Sequence, residues 1–270
     1  MAAKKYVCKV CGYTHEGKEA PSVCPLCKAG ASEFEAVKTA KKKGFNTNSD
    51  LYAIIYSAVV VVIVAFLLAG VSSSLKETQD ANVALDKKKQ ILASLNIKNV
   101  ADAAAEYDNV IKADPIINVA GNVVEEKGGF EVANDAVNGD KLPLYVAEVN
   151  GEKKYIIPMT GNGLWGGIWG YLALNDDCNT VYGVYFSHAG ETPGLGAEIA
   201  SDKFQSRFPG KTVIENGEVA LSVVKKVQND AVEVNAVSGA TITCNGVNAM
   251  LHDKIAPYKA YLMANVESNK

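Results

Sequence analysis

The chain has 270 residues, of which 48% are hydrophobic, and its formal net charge is −3. This length accommodates a globular domain of about 150 to 200 residues together with a small module, and the nearly balanced charge argues against a broad basic surface for nucleic acid. Four of the six cysteines lie within the first 27 residues. We therefore predict a separate amino-terminal domain at residues 1–37.

The four early cysteines form two pairs, Cys8-x-x-Cys11 and Cys24-x-x-Cys27, which are separated by 12 residues. Paired knuckles of this kind direct four thiolates tetrahedrally at one metal ion. Disulfide bonds are the alternative, but so small a segment needs a metal in order to fold, and thiols at this spacing are typical of a metal site. We predict a metal centre held by Cys8, Cys11, Cys24 and Cys27.

Over residues 4–37 the chain resembles the rubredoxin-like domain of rubrerythrins. The resemblance is carried by Cys11-Gly12-Tyr13, His15-Glu16-Gly17, Ala20-Pro21, Cys24-Pro25-Leu26-Cys27 and Phe34. It implies a single iron that changes between the ferrous and ferric states. The second knuckle has Lys28 where many rubredoxins have glycine, and zinc would bind the same four thiolates as a structural ion without redox chemistry. Iron is the expectation and zinc the alternative.

A basic linker is predicted at residues 38–50 and a transmembrane helix at residues 51–71. The second segment contains no charged side chain and is rich in Val, Ile and Leu. At about 1.5 Å per residue it spans about 30 Å, the thickness of the hydrocarbon core of a bilayer. A buried core helix would show an amphipathic stripe, which is missing here. We predict one span in contact with the lipid bilayer.

The charges that flank the span predict its orientation. Four lysines precede it, at positions 38, 41, 42 and 43, whereas Lys76, Glu77 and Asp80 follow it. By the positive-inside rule the amino-terminal domain stays in the cytoplasm. We therefore expect a single-pass protein of the inner membrane, with residues 72–270 on the periplasmic or extracytoplasmic side.

Residues 72–270 are predicted to form an α+β domain, because strand-like alternation and helical periodicity both occur. The helices are expected at residues 75–95, 98–112, 196–208 and 243–264, the last with a kink at Pro257. Leu144–Val149 and Lys154–Pro158, joined by Asn150-Gly151, predict a hairpin. Further strands are expected at residues 172–174, 180–186 and 231–237. Cys178 and Cys244 are expected to be unpaired.

The sequence Ser238-Gly239-Ala240-Thr241-Ile242-Thr243 lies between a strand-like run and a long helical pattern. Small residues allow the backbone to approach a ligand closely, and the free N–H groups at the start of a helix favour an anion such as phosphate. A phosphate there would lie beside the hydroxyls of Thr241 and Thr243. The alternative is that Ser238 or Thr241 only caps the helix.

Two further loops contain residues that suit a flavin. In the first, Gly161-Asn162-Gly163-Leu164-Trp165-Gly166, glycines surround a broad apolar ring against which an isoalloxazine can pack. In the second, residues 188–196 read His-Ala-Gly-Glu-Thr-Pro-Gly-Leu-Gly. Its Pro-Gly turn would present the Glu191 carboxylate, the Thr192 hydroxyl and backbone N–H groups, although an ordinary solvated turn is the alternative. Lys225 is the candidate cation for a flavin phosphate or a reduced-flavin anion.

These three loops resemble the FMN-binding domain found in one subunit of the sodium-translocating NADH:quinone oxidoreductase, and in the corresponding subunit of the related Rnf complex. The resemblance covers roughly residues 45–270. It implies that a flavin transferase attaches FMN to Thr241 through a phosphoester bond. The further expected FMN contacts are Ser238, Gly239, Ala240, Thr243, Gly163, Leu164, Trp165, Glu191, Thr192, Gly194, Leu195, Gly196 and Lys225.

The resemblances together predict a multidomain membrane protein, with a rubredoxin-like metal domain, one transmembrane helix and an α+β FMN-binding domain. They imply an electron-transfer subunit of a sodium-pumping NADH:quinone oxidoreductase that works with other membrane, flavin and iron–sulfur subunits and is not catalytic alone. One alternative is the FMN subunit of an Rnf-type ferredoxin:NAD oxidoreductase. Another is a membrane scaffold or sensor with a structural zinc ribbon and a reversibly bound flavin.

Overall fold

The structure is a computed structural model that describes residues 4–37, 47, 49–134 and 141–268. The chain divides into two units, Met1–Ser74 and Leu75–Lys270. Most of the predicted linker at residues 38–50 lies outside the described residues.

The amino-terminal module is a small antiparallel sheet with strand order β2-β1-β3. Its strands are β1 (Lys4–Cys8), β2 (Thr14–Gly17) and β3 (Phe34–Ala36), and a 3-10 turn at Ala31–Glu33 leads into the last. Among the described residues of this unit, the only buried side chains are those of Cys8 and Cys24. The module therefore has no hydrophobic core of its own, and its interior consists of the cysteine cluster.

Helix α1 runs without interruption from Asp50 to Ser94. Within the described residues it is the one helix that is long and apolar enough to cross a membrane, with a mean hydropathy of 2.9 over its most apolar window. The sequence predicts two helices here, at residues 51–71 and 75–95, and the structure joins them into one. Serines at positions 72–74 do not interrupt a helix as proline does. The single apolar helix is compatible with a membrane-anchored protein.

The second unit contains twelve described strands and four further helices. The strands are β4 (Ile111–Ala113), β5 (Ile116–Ile117), β6 (Val123–Glu125), β7 (Leu142–Pro143), β8 (Tyr145–Val149), β9 (Glu152–Asn162), β10 (Gly167–Leu174), β11 (Val181–His188), β12 (Ile214–Glu215), β13 (Glu218–Val219), β14 (Ser222–Val224) and β15 (Glu233–Asn235). The helices are α2 (Ala103–Val110), α3 (Asp202–Gln205), α4 (Thr241–Ile255) and α5 (Lys259–Ser268). This composition confirms the predicted α+β class.

The main sheet has five antiparallel strands in the order β11-β10-β9-β8-β4. Adjacent residues of β9 point to opposite faces: Ile157 packs in a core cluster with residues of α4, whereas Ile156 packs in a second cluster with residues of α1 and α2. The sheet is therefore the middle layer of the domain. Smaller sheets flank it, with β6-β5-β7 antiparallel, β12-β13 antiparallel and β14-β15 parallel.

The predicted hairpin is confirmed. Strands β8 and β9 pair with Val149 opposite Glu152, around Asn150 and Gly151. Both turn residues have positive φ, 55° and 81°, which a tight two-residue hairpin turn requires and which Asn-Gly adopts at low cost. The other predicted strands are also present, with β10 and β11 longer and β15 shorter than expected.

The predicted helices are correct in position but wrong in their bounds. The helix expected at residues 98–112 begins only after Asp102, whose side chain caps it, and strand β4 follows at once. The segment expected to be helical at residues 196–208 is a 3-10 turn, Gly196–Ala200, and then the short helix α3. A kink within one helix is expected at Pro257, and at this position a 3-10 turn, Ala256–Tyr258, separates α4 from α5.

Candidate functional site

The four amino-terminal cysteines converge as the sequence predicts. Their Sγ atoms all lie within 4.8 Å of one another, with 3.6 Å between Cys8 and Cys27 and 3.5 Å between Cys11 and Cys24. A tetrahedral ion with metal–sulfur bonds of about 2.3 Å requires sulfur–sulfur distances of about 3.8 Å. The cluster is therefore a four-thiolate metal site in its geometry as well as in its spacing.

Backbone N–H groups point at these sulfurs. The Tyr13 N–H donates to Cys11, the Leu26 and Cys27 N–H groups donate to Cys24, and the Ala29 N–H donates to Cys27. Burial opposes ionisation of Cys24, but these two N–H groups and the neighbouring thiols lower its pKa to about 7. Such hydrogen bonds stabilise thiolates and tune a bound metal. The donor set fits one tetrahedral ion.

The three sequence loops of the second unit meet around a cavity of about 220 Å³. Its lining consists of Leu164, Glu191, Thr192, Leu195, Gly196, Gly239, Ala240, Thr241, Ile242 and Thr243. Segments that lie up to about 75 residues apart in sequence thus form one site. Ile242 is the lining residue that the sequence reasoning missed, although its position inside the Ser-Gly-Ala-Thr-Ile-Thr run was the available signal.

Helix α4 begins at the cavity and has no side-chain cap. Its N-cap residue is Ala240, which offers no acceptor, so neither Ser238 nor Thr241 caps the helix as the alternative interpretation required. The first-turn N–H groups and the positive end of the helix dipole remain available to an anion. Thr241 is exposed at this point. Gly239 precedes it with φ of 79°, a conformation that allows the loop to turn into the helix.

Glu191 lines the cavity, and internal hydrogen bonds hold its carboxylate in place. Its side chain is 4% exposed. One carboxylate oxygen accepts from the Trp165 N–H at 2.8 Å, and the other accepts from the Thr243 hydroxyl at 2.6 Å. Burial alone would raise the pKa of Glu191, but the Thr243 hydroxyl and the N–H groups of residues 164–166 hold it below its ordinary value. The carboxylate is therefore buried and ionised at neutral pH.

Large apolar side chains are exposed at this site. Leu164 is 47% exposed, Trp165 70%, Leu195 43% and Ile242 57%, and all except Trp165 line the cavity directly. Exposed apolar side chains gathered at one place usually mark a binding surface. Together with the uncapped helix start, they suit a ligand that has an anionic group and a broad apolar ring.

Several of the expected contacts do not line the cavity. Ser238 is exposed before the helix start, and Lys225 is exposed just after strand β14. Gly163 instead makes room for Glu191, since a Cβ there would lie 2.4 Å from its Oε1. Trp165 and Gly194 belong to the lining loops without lining the cavity. Cys178 and Cys244 are both free thiols, which confirms that they are unpaired.

The chain's single arginine supports the strand that leads into the loop at residues 238–243, and the sequence alone does not predict this contact. Arg207 donates from Nη1 to the Asn235 carbonyl oxygen at 2.6 Å, just before Ser238. Its ε N–H donates to the Lys203 carbonyl oxygen at 3.2 Å. One guanidinium thus fixes strand β15 against α3. The only signal in the sequence was that no other arginine occurs.

Family models match both units. The model described as "FMN-binding domain" matches residues 163–256, and the model described as "Rubrerythrin, rubredoxin-like domain" matches residues 6–35. The first of these matches contains the whole lining of the 220 Å³ cavity. The second contains all four clustered cysteines. Both resemblances drawn from the sequence are therefore confirmed.

Sequence relatives and a solved structure agree with the family models. The C-subunit of the Na(+)-translocating NADH-quinone reductase of Pseudomonas aeruginosa is 30% identical over 239 residues, which cover 77% of this chain and 92% of the relative. Its namesake from Haemophilus ducreyi is 29% identical, covering 83% and 99%. A crystal structure of the C-subunit from Parabacteroides distasonis is 39% identical, with a TM-score of 0.66, and covers 70% and 96%. The chain therefore belongs to the C-subunit family of the Na(+)-translocating NADH-quinone reductase.

Proposed function

We propose that this chain is the FMN-carrying electron-transfer subunit of a sodium-translocating NADH:quinone reductase, with FMN joined to Thr241 by a phosphoester bond. The observation that carries the proposal is the uncapped start of helix α4, where an exposed threonine borders a cavity made of three loops. Helix starts of this kind bind phosphate through free N–H groups and the helix dipole.

The two threonines of the loop differ in a way that favours Thr241. Thr243 is buried, and its hydroxyl is committed to Glu191 at 2.6 Å. Thr241 is exposed, and among the described contacts its hydroxyl makes no hydrogen bond within the protein. Only Thr241 therefore combines an accessible oxygen with a place at the helix start, which a flavin transferase needs in order to form the bond.

The remaining residues of the cavity would bind and orient the flavin. Leu164, Leu195 and Ile242 offer apolar contact for the ring system, and Trp165 extends that surface. When bound, FMN would supply the one- and two-electron redox chemistry that no protein side chain of the site provides. The protein supplies position, an apolar contact surface and a helix dipole for the phosphate.

We further propose that the amino-terminal module binds iron and exchanges electrons with a soluble carrier. The proposal is supported by four converging thiolates, by N–H groups directed at their sulfurs and by the match to a rubredoxin-like family model. A tetrahedral thiolate site changes its geometry little when iron changes oxidation state, which suits electron transfer. Zinc in the same site would make the module structural only.

In the proposed assembly, the chain sits in the inner membrane with its amino terminus in the cytoplasm and its flavin domain outside. The apolar part of α1 and the lysines that precede it support this placement. Partner membrane, flavin and iron–sulfur subunits would deliver and remove the electrons. The names of the relatives favour this complex over the Rnf complex.

Fluorescence on a denaturing gel tests the flavin bond. The full chain is expressed together with a flavin transferase, and the protein band is viewed under ultraviolet light. We expect a fluorescent band for the wild type, a dark band for Thr241→Ala, and a fluorescent band for the control Ser238→Ala, which removes a neighbouring exposed hydroxyl. A dark wild-type band in the presence of an active transferase would contradict covalent attachment and favour reversible flavin binding.

Elemental analysis tests the metal. The Thr241→Ala chain, which lacks the proposed flavin bond and is freed of any flavin by dialysis, is purified from cells grown with both iron and zinc, and its metal content and visible absorption are measured. We expect iron and a colour that is lost on reduction and lost in Cys24→Ser. A colourless protein that contains only zinc would support the scaffold or sensor alternative.

A further inference from the structure

Among the residues that the structure describes, Glu191 has the only buried carboxylate, and both of its oxygens accept hydrogen bonds from other segments of the protein. Its Oε1 lies 2.8 Å from the Trp165 nitrogen and its Oε2 lies 2.6 Å from the Thr243 hydroxyl oxygen. The Leu164 and Gly166 N–H groups also donate to it. Four donors from two segments thus converge on one side chain, which lies in the wall of the 220 Å³ cavity.

The surrounding backbone is shaped around this carboxylate. A Cβ at Gly163 would lie 2.4 Å from Oε1, and a Cβ at Gly196 would lie 2.3 Å from Oε2 and 2.6 Å from the Thr243 hydroxyl oxygen. Real Cβ atoms do not approach polar atoms so closely, so both positions need glycine as long as Glu191 stays in place. The two glycines and the carboxylate form one packing unit.

The contacts of Glu191 connect the two parts of the proposed flavin site. On one side is the tip of the β9–β10 hairpin, where the exposed Leu164 and Trp165 offer apolar surface. On the other side is the first turn of α4, where Thr243 follows the proposed attachment residue Thr241 by two positions. A loop of glycines and exposed apolar side chains has little packing to fix it. The carboxylate supplies the missing constraint.

We propose that Glu191 is a positioning residue for the flavin, which fixes the Leu164–Trp165 hairpin tip relative to the helix start that bears Thr241. This inference rests on the proposed function, because it assigns the role of a residue within the same site. In this role Glu191 acts through the two segments that its carboxylate holds together. Glu191 holds the apolar surface of Leu164 and Trp165 in a fixed position relative to Thr241, so that a flavin ring attached through the Thr241 oxygen can pack on that surface.

The ionised state of Glu191 matters for this role. A carboxylate offers two acceptor oxygens and accepts all four hydrogen bonds, whereas a neutral amide offers one acceptor oxygen and turns an NH2 group toward donors. In Glu191→Gln, at least one of the buried N–H or O–H donors therefore loses its partner. The hairpin tip is then expected to detach from α4 while the Thr241 hydroxyl and the rest of the fold stay unchanged.

The test compares Glu191→Gln with Glu215→Gln, which makes the same change of charge at an exposed carboxylate. All variants are full-length and are expressed with a flavin transferase. Gel fluorescence gives the amount of covalent flavin, visible circular dichroism reports how rigidly the ring is held, and iodide quenching reports its exposure. We expect the dichroism per bound flavin to fall about twofold or more in Glu191→Gln, with more quenching, because a freed loop samples many arrangements. Glu215→Gln should match the wild type.

Thr243→Val provides a second variant in case Glu191→Gln fails to fold. It removes one of the four donors and keeps the carboxylate paired with backbone N–H groups, so we expect a smaller change in the same direction. Flavin on every variant with unchanged dichroism and quenching would overturn the positioning role alone. Absence of covalent flavin from the wild type would instead overturn the proposed function, so the two failures are distinguishable.

Discussion

The metal module and the flavin domain both hold their cofactor sites on short loops, yet they are built in opposite ways. The four cysteines lie within 20 consecutive residues, and apart from Cys8 and Cys24 no described side chain of that module is buried. The flavin site draws on three loops between residues 163 and 243, and a continuous hydrophobic core supports it. The metal site is local in sequence, and its cysteines are the interior of the module. The flavin site is assembled from distant segments by a domain that has a separate hydrophobic core.

This difference concerns where the folding free energy comes from. In the metal module the bound ion has to supply it, because there is no apolar surface to bury. In the flavin domain the sheet and α4 bury large side chains such as Phe186, Tyr171 and Tyr258. Its cofactor can therefore be added after folding, as the proposed attachment by a flavin transferase requires.

The largest expected effect is the response to metal removal. Chelation, or Cys24→Ser, should unfold residues 4–37, because metal binding contributes on the order of 10 kcal/mol to folding in small modules of this kind. The flavin domain should keep its melting temperature. Limited proteolysis followed by mass spectrometry shows, in one sample, whether the metal module and the flavin domain are each protected from cleavage. Cleavage confined to the amino-terminal module is the expected result, and a protease-resistant module without metal would refute the comparison.

A second effect concerns the packing around Glu191. Gly196→Ala places a Cβ 2.3 Å from a Glu191 oxygen, and we expect it to destabilise the flavin domain by about 1–3 kcal/mol, the usual cost of overpacking. Gly190→Ala in the same loop is the matched control, since nothing lies within 4 Å of its Cβ. Urea unfolding followed by circular dichroism gives both values. Equal stability of the two variants would mean that the loop shifts without cost.

The sequence was sufficient for whatever depends on local spacing. The Cys-x-x-Cys pairs predicted the metal cluster, Asn150-Gly151 predicted the hairpin, and Pro257 predicted the break after α4. In each case the physical cause lies within a few residues of the motif. Thiolate spacing fixes ligand geometry, Asn-Gly permits positive φ, and proline lacks the N–H that a helix needs.

What the sequence reasoning missed depends on contacts between distant segments. Glu191 reads as a loop carboxylate facing a ligand, and only the fold brings Thr243 and the Trp165 N–H within hydrogen-bond distance of it. The support that Arg207 gives to Asn235 is likewise a contact between elements 28 residues apart. The end of α2 at Val110 is set by pairing of Ile111 with Ala147, a tertiary contact that outweighs local helix propensity.

A third effect is expected in the pH dependence of the stability of the flavin domain. Hydrogen bonds hold the pKa of Glu191 below its ordinary value, so the unfolded chain binds this proton more readily than the folded one. The corresponding stability is fully present above the unfolded pKa of about 4.3 and is lost as the pH falls through the lower folded pKa. We expect the difference in unfolding free energy between wild type and Glu191→Gln to be constant from pH 7 to about pH 5 and to shrink below that. A difference that grows on acidification would contradict an ionised, buried carboxylate.

The smallest expected effect is a difference in backbone strain between the two cysteine knuckles of the metal module. Gly12 and Lys28 follow the second cysteine of each knuckle, and both have positive φ, 73° and 63°. A lysine in this conformation is strained by about 1 kcal/mol, whereas glycine is not. Glycine also loses more chain entropy on folding, which offsets part of the gain. We therefore expect Lys28→Gly to raise resistance of the metal site to a chelator by a few tenths of a kcal/mol up to about 1 kcal/mol, and Gly12→Ala to lower it.

Because the two substitutions are expected to change chelator resistance in opposite directions, together they test whether backbone strain is the cause. If Lys28→Gly weakened the metal site, the lysine side chain would have to contribute more than its backbone strain costs, for example through its positive charge near the thiolates. If both variants left chelator resistance unchanged, the knuckle turns would not limit the stability of the module. The expected pattern is higher chelator resistance for Lys28→Gly and lower chelator resistance for Gly12→Ala. It would show that both knuckle turns need a residue that tolerates positive φ, and that Lys28 destabilises the second turn by a measurable amount.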